Sequence, residues 1–268
     1  MSMTKIYAVA NQKGGVGKTT SVINISAFLA KSGRRVLVVD MDPQANATSG
    51  LGYNKYELEK STYELLLEEA AVEDVLVHHE EFRLDILPAH PELSGAEVEL
   101  VNAIGREYRL KNVLEGLNGR YDYILIDCPP SLSLLTVNAL TAAANGIIIP
   151  VQCEYLALEG LTQLTQSIEL VRKYLNPHLL VRGLVMTMYD SRTNLSRQVV
   201  EEVRKYFPGR VFRTIVPRNV RLSEAPSFGQ PISAYAPNSP GGIAYKVLTA
   251  EILKSDLAQE GEPKGAAA

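Results

Sequence analysis

Tryptophan is absent from the 268 residues, and only two cysteines occur, Cys128 and Cys153. Two thiols far apart in sequence and outside any C-x-x-C pair exclude a disulfide scaffold, so reduced, buried thiols are expected. Long hydrophobic runs are missing too. No apolar stretch approaches the roughly 18 to 20 residues that a helical membrane span requires, and Met1 to Lys5 is not followed by the apolar segment of a signal peptide. A cytoplasmic protein with no membrane partner is the expectation. Net charge is only −3, from 27 Lys and Arg against 30 Asp and Glu, so the total carries no polybasic signature of nucleic-acid binding. The four histidines, His78, His79, His90 and His178, lie away from the motif-bearing loops and drop out as catalytic or metal candidates. No internal repeat and no linker-like stretch divides the chain. Residues 1–257 therefore read as one domain, with a polar, Gly/Ala-rich tail over 258–268 expected to be disordered.

Charge is distributed unevenly. Glu57 to Glu81 holds nine acidic residues and one base, whereas Arg182 to Arg221 holds nine bases and three acids. Such a basic segment is either a solvated face or the footprint of a phosphate-neutralising surface. Its members include Arg192 in the polar loop Ser191-Arg192-Thr193-Asn194, Arg204 and Lys205 off the apolar stripe of a helix, and Arg218 and Arg221 near a loop-to-helix turn.

Strands and helices alternate along the chain, which indicates an α/β fold. Ile6–Ala10, Arg35–Asp40, Arg83–Leu87, Tyr121–Asp127, Gly146–Val151, Val181–Met188 and Val211–Ile215 read as strands. The runs ending at Asp40 and Asp127 do not alternate in polarity, as expected of parallel strands covered on both faces. Helices are expected from the loop at Gly17 to Gly33, from a capping box at Ser61 to Glu69, over Val72–Val77, Glu92–Asn102, Glu107–Leu117 and Ser133–Ala143, along the stripe Leu161 to Leu175, from Leu195 to Phe207, and over Gly242–Lys254. Asn46–Tyr53 reads as a loop.

The stretch Asn11-Gln12-Lys13-Gly14-Gly15-Val16-Gly17-Lys18-Thr19-Thr20 falls where a strand turns into a helix. Glycines there let the backbone approach oxyanions, and the free N–H groups of the first helical turn point at them. Lys18 supplies charge for the β- and γ-phosphates, and the Thr19 hydroxyl suits Mg²⁺. Gln12 occupies the place where the usual phosphate loop has its first glycine, and Lys13 is an additional lysine. Asp127 ends a buried strand in the manner of a Walker B carboxylate, able to hold Mg²⁺ through water. Asp40 and Asp42 flank the end of another such strand, where ligands of open α/β sheets collect.

The loop with its extra Lys13 resembles the deviant Walker A loop of the ParA/MinD group of ATPases and of the nitrogenase iron protein. Over residues 4 to 255, the segments Val39-Asp40-Met41-Asp42-Pro43-Gln44-Ala45-Asn46-Ala47-Thr48, Ile126-Asp127-Cys128-Pro129-Pro130-Ser131, Pro150-Val151-Gln152-Cys153-Glu154-Tyr155 and Pro217 to Ser227 resemble the ParA/Soj family of chromosome-partitioning ATPases. That resemblance implies a P-loop NTPase-like α/β fold, a mostly parallel twisted sheet flanked by helices on both faces. It implies ATP and Mg²⁺ as ligands, and slow ATP hydrolysis stimulated by DNA and a ParB-type centromere-binding protein. It also implies an ATP-dependent homodimer, nonspecific binding of double-stranded DNA, and nucleoid association. Carried over by motif, Lys13, Gly14, Gly15, Val16, Gly17, Lys18, Thr19 and Thr20 would contact the nucleotide, with Lys13 reaching across a two-fold interface to the partner's ATP. Thr19 and, through water, Asp127 would hold Mg²⁺, and Pro217 with Asn219 would border the adenine. Asp42 would position the attacking water. Asp40 is the alternative for that role or serves around the metal. Arg192, Arg204, Lys205, Arg218 and Arg221 would meet DNA.

Two relatives of this group differ in kind. An iron protein needs thiolates at a solvent-facing dyad, and Cys128 and Cys153 belong to buried strand ends. A membrane-bound ATPase of the MinD type needs a terminal basic amphipathic helix, which Glu260-Gly261-Glu262-Pro263-Lys264-Gly265-Ala266-Ala267-Ala268 does not supply. A nucleotide-binding module without turnover would differ only in hydrolysis.

Overall fold

In a computed structural model, which describes residues 4–155 and 157–261, eight strands form one sheet: β1 (Lys5–Val9), β2 (Val36–Asp40), β3 (Val77–His79), β4 (Leu84–Leu87), β5 (Tyr123–Asp127), β6 (Ile147–Gln152), β7 (Val181–Tyr189) and β8 (Val211–Pro217). Their order is β3-β4-β2-β5-β1-β6-β7-β8. Every pairing is parallel except β3 with β4. The helices are α1 (Lys18–Lys31), α2 (Asn46–Gly50), α3 (Thr62–Leu67), α4 (Val72–Val75), α5 (Leu93–Glu99), α6 (Arg109–Glu115), α7 (Leu134–Ala142), α8 (Ala157–Tyr174), α9 (Asn194–Tyr206), α10 (Val220–Glu224), α11 (Ile232–Tyr235) and α12 (Pro240–Gly261).

The unalternating strand sequences have a direct structural reason. Successive side chains of a strand point to opposite faces. Ile6, Ala8, Leu37, Val39, Ile124 and Ile126 enter one core, while Tyr7, Val9, Val36, Val38, Tyr123 and Leu125 enter the other. The second core is covered by α1 through Val22, Ile25 and Leu29 and by α12 through Tyr245, Leu248 and Ile252. Both cores exclude water, so both faces demand apolar residues.

The capping box at Ser61 forms as expected. The Ser61 hydroxyl accepts from the Tyr63 N–H, and the Ser61 N–H donates to Glu64 Oε2 at 2.7 Å. Four expectations need correction. Asn46–Gly50, expected as loop, is the helix α2, entered through Ala45 at a left-handed φ of 50°. The helix expected over Val72–Val77 stops at Val75, and Val77–His79 pairs instead with β4 as an edge strand. β8 runs two residues beyond Ile215 to Pro217, where a proline is tolerated at a sheet edge. The closing helix continues past Lys254 to Gly261, into the expected tail. Residues 262–268 lie outside the described residues.

At the amino-terminal edge of the sheet, α12 is pinned by one buried charge. Asp256, 1% exposed, accepts from the hydroxyls of Tyr7 at 2.7 Å and Tyr123 at 3.0 Å and from Arg182 Nη2 at 2.8 Å. Burial, then the Asp256 carboxylate, pushes the Tyr7 phenol well up from its ordinary range. Asp256→Asn turns charge-assisted bonds into neutral ones and strands a buried guanidinium. A loss of about 2 kcal/mol in unfolding free energy is expected, measured by urea denaturation.

Candidate nucleotide-binding site

The parallel register does the first piece of positioning. Val9, Asp127 and Asp40 are cross-strand neighbours on β1, β5 and β2, so residues far apart in sequence meet at the carboxyl edge where the loop after β1 begins. That loop is fastened from below. Asn11 Nδ2 donates to the Pro150 carbonyl at 2.8 Å, its Oδ1 accepts from the Lys13 N–H at 3.0 Å, and the Thr187 hydroxyl donates to the Val16 carbonyl at 2.9 Å. Gln12 donates to the Ser167 hydroxyl on α8 at 3.2 Å, a tie that a glycine in its place could not make. Gly15 and Gly17 take φ of 72° and 91°, conformations that cost other residues strain. Gly17 is the N-cap of α1.

Lys18 is buried, and its Nζ donates to the Lys13 carbonyl at 3.2 Å. Burial draws its pKa below the ordinary lysine value, while Asp127 and Asp42 oppose that shift. The Thr19 hydroxyl donates to Asp127 Oδ2 at 2.7 Å, and Asp127 Oδ1 is buried without a hydrogen-bond partner. Burial and then the neighbouring Asp40 charge hold the Asp127 pKa well above the carboxylate range. An acidic group so destabilised in its charged form fits a position that a cation neutralises. Among the described residues no three His, Cys, Asp or Glu side chains converge as a metal cage. The donor set instead suits Mg²⁺, which keeps waters and leans on phosphate oxygens with one or two protein ligands.

Asp40 is committed to backbone and threonine. Its Oδ1 accepts from the Asp42 N–H at 3.1 Å, and its Oδ2 accepts from the Thr48 N–H and hydroxyl at 2.9 and 2.8 Å. Burial raises its pKa to about 6 despite those bonds. Thr48 Oγ1 in turn accepts from the Ala89 N–H at 2.9 Å. Asp40 thus fixes the loop on which Asp42 sits. Asp42 itself is buried, with Oδ1 accepting from the Gln44 N–H at 2.9 Å.

Beside the loop lies a cavity of about 370 Å³ lined by Gly17, Thr20, Thr187, Met188, Pro217 and Asn219, among others. Met188 holds a left-handed φ of 53° there, strain of the kind found at binding sites. Asn219 Oδ1 is buried with no partner. Asn11 and Thr48 fall within the motif segments, but no local sequence signal announced the bracing roles of Asn11, Thr48 or Thr187, because each acts through a contact with a distant element.

The basic segment does not form one patch. Arg192 follows β7, and Arg218 and Arg221 follow β8, all at the carboxyl edge. Arg204 and Lys205 lie in the last turn of α9, which runs back along the sheet, so about 15 to 17 Å of helix separates them from that edge. Arg182, counted among the bases, is buried on Asp256. Each of the three edge arginines meets an acid: Arg192 with Asp190 at 2.7 Å, Arg218 with Glu154 at 3.2 Å and Arg221 with Glu224 at 2.8 Å.

A glycine-rich loop between the first strand and the first helix, at the carboxyl edge of a largely parallel sheet and next to the buried strand-end carboxylate of Asp127, defines the P-loop NTPase fold. Residues 4–181 match the family model described as AAA domain. The sporulation initiation inhibitor protein Soj of Bacillus subtilis is 55% identical over 93% of this chain and 98% of its own length. The chromosome partitioning protein ParA of Myxococcus xanthus is 56% identical over 94% and 89%. Among solved structures, one described as cobyrinic acid a,c-diamide synthase of Mycobacterium smegmatis, with bound ADP and magnesium, superposes with a TM-score of 0.84 at 40% identity, covering 98% of this chain and all of that one. The chain belongs to the ParA/Soj family of chromosome-partitioning ATPases.

Proposed function

We propose that this protein is a DNA-partitioning ATPase that dimerises on ATP, binds double-stranded DNA without reading sequence, and leaves it when a ParB-type protein stimulates hydrolysis. The observation that carries the ATPase part is the meeting, at one sheet edge, of the phosphate loop, the Thr19–Asp127 pair, Asp42 and the cavity beside Asn219. ATP would lie with its phosphates along Gly14 to Thr20 and its adenine between Pro217 and Asn219, whose unpartnered Oδ1 suits the donor on an adenine amino group. Lys18 would meet the β- and γ-phosphates. Thr19 and, through water, Asp127 would hold Mg²⁺, which supplies charge neutralisation of the phosphates when bound.

Phosphoryl transfer is chiefly positioning and electrostatics. Asp42 is the carboxylate left to orient the attacking water and accept its proton, because both Asp40 oxygens are occupied by Asp42, Thr48 and their N–H groups. Lys13 has no phosphate duty that Lys18 does not already cover. Its side chain is about one-third exposed, as a group that reaches a partner's ATP across a two-fold axis must be. The ATP dimer would then set two edge patches of Arg192, Arg218 and Arg221 side by side, and the second DNA attachment becomes intramolecular. Arg204 and Lys205 would contribute from a separate surface. A cytoplasmic, nucleoid-associated location follows from this reading.

No helix among the described residues is long and apolar enough to cross a membrane.

Retention on immobilised DNA, measured with ATP, with ADP and with neither, tests the reading. Strong retention is expected with ATP, together with a doubling of mass in light scattering, and only weak binding with ADP or without nucleotide. Arg192→Glu or Arg221→Glu should weaken binding to all sequences alike by about tenfold or more, flatten its salt dependence and leave the ATP dimer intact. Equal DNA binding with ADP and ATP would defeat the nucleotide gate.

A further inference from the structure

Of the acids that meet the edge arginines, two are near sequence neighbours of their partners: Asp190 holds Arg192, and Glu224 holds Arg221. Glu154 is different. It lies just past β6, and it joins two loops distant from it in sequence. Its Oε1 accepts from Arg218 Nη2 at 3.2 Å, its Oε2 faces Lys13 Nζ at 3.9 Å, and Gln152 Nε2 steadies it with a bond of 2.6 Å to Oε1. Arg218 is fixed at its base, where its N–H donates to the Tyr189 carbonyl at 3.0 Å. One carboxylate therefore contacts both the lysine assigned above to a partner's ATP and an arginine assigned to DNA.

We infer that Glu154 is a built-in stand-in for phosphate, a counter-charge that occupies Lys13 and Arg218 within the monomer and keeps the edge a weak DNA ligand. The inference rests on the DNA-binding reading above. A carboxylate presents two acceptor oxygens to a guanidinium much as a phosphate does, so Arg218 cannot fully satisfy both at once. Competition by DNA is sterically open, since the side chains of Lys13, Glu154 and Arg218 are 36%, 45% and 57% exposed. The same exposure bounds the effect, because ion pairs in contact with water are weak. A several-fold suppression is the scale to expect. That is enough to bias a single monomer patch and small enough for two patches acting together to overcome.

Glu154→Gln keeps the side-chain shape and removes the charge. Fluorescence anisotropy with a short duplex and no nucleotide should show the variant binding about three- to tenfold more tightly than wild type, with a steeper dependence on salt as freed cations reach phosphates. Glu57→Gln makes the same change in net charge at an exposed site in the acidic segment and should show no such gain. An unchanged or weaker Glu154→Gln overturns the inference, as does an equal gain in Glu57→Gln, which would make the effect one of bulk charge. Light scattering that finds Glu154→Gln dimeric without nucleotide overturns it too, because the gain would then come from pairing rather than from released cations. If wild type with ATP fails to bind the duplex, the DNA reading falls together with it. If wild type binds with ATP while Glu154→Gln gains nothing, this inference falls alone.

Discussion

Asp42→Ala is expected to bind ATP as wild type does and to lose turnover by about 10²-fold or more. The affinity prediction follows from location. Asp42 belongs to the loop after β2, and none of the hydrogen bonds that fasten the phosphate loop involves it. The turnover prediction follows from chemistry, since a positioned carboxylate acting on a reacting proton contributes about 10² to 10⁴. Asp42 also has a structural duty, because Oδ1 accepts from the Gln44 N–H. Asp42→Asn separates the two roles. An asparagine oxygen keeps that bond but cannot take a proton from water, so Asn and Ala should be equally inactive. Single-turnover phosphate release beside equilibrium nucleotide binding measures both quantities. Turnover preserved in Asp42→Asn would confine Asp42 to shaping its loop.

Lys18→Ala is expected to weaken ATP binding by about 100-fold or more. Lys18 is buried at the start of α1, with its ammonium group on the Lys13 carbonyl. A charge in a partly desolvated site interacts with phosphate far more strongly than one in water. Burial already draws its pKa down, a sign of an ammonium group lacking solvation that triphosphate oxygens would restore. Titration calorimetry with ATP reads the loss. A circular dichroism melt guards against a trivial explanation, because removing an under-solvated buried charge should leave the fold at least as stable. Affinity equal to wild type would take Lys18 out of phosphate recognition.

The loop from Asn11 to Thr20 could be read from sequence because its chemistry is local: glycines for positive φ, a lysine and a threonine at the first helical turn. The strands ending at Asp40 and Asp127 were equally legible, since burial on both faces imposes a continuous apolar run. Ser61 announced its helix because a capping box is written in four adjacent residues. By contrast, Val77–His79 carries two histidines and gains strand character only from pairing with β4, and α2 is too short to show a helical period. The spatial grouping of the basic segment was not legible, because linear counting puts the buried Arg182, the edge arginines and the distant Arg204 and Lys205 into one group.

By itself, then, the sequence determined the alternation of strand and helix, the phosphate loop, the strand-end carboxylates and the family pattern of motifs, all of which depend on near neighbours along the chain. Tertiary structure alone decided which of those carboxylates stay available. Parallel register brought Asp40 beside Asp127, and Thr48 and the Asp42 N–H then consumed Asp40. It alone joined Lys13 and Arg218 through Glu154 and set Arg204 and Lys205 at the end of α9 remote from the carboxyl edge that carries Arg192, Arg218 and Arg221. The physical reason is the same throughout: backbone conformation answers to local residue types, whereas the charge state and partners of a side chain depend on what packing carries to it from elsewhere.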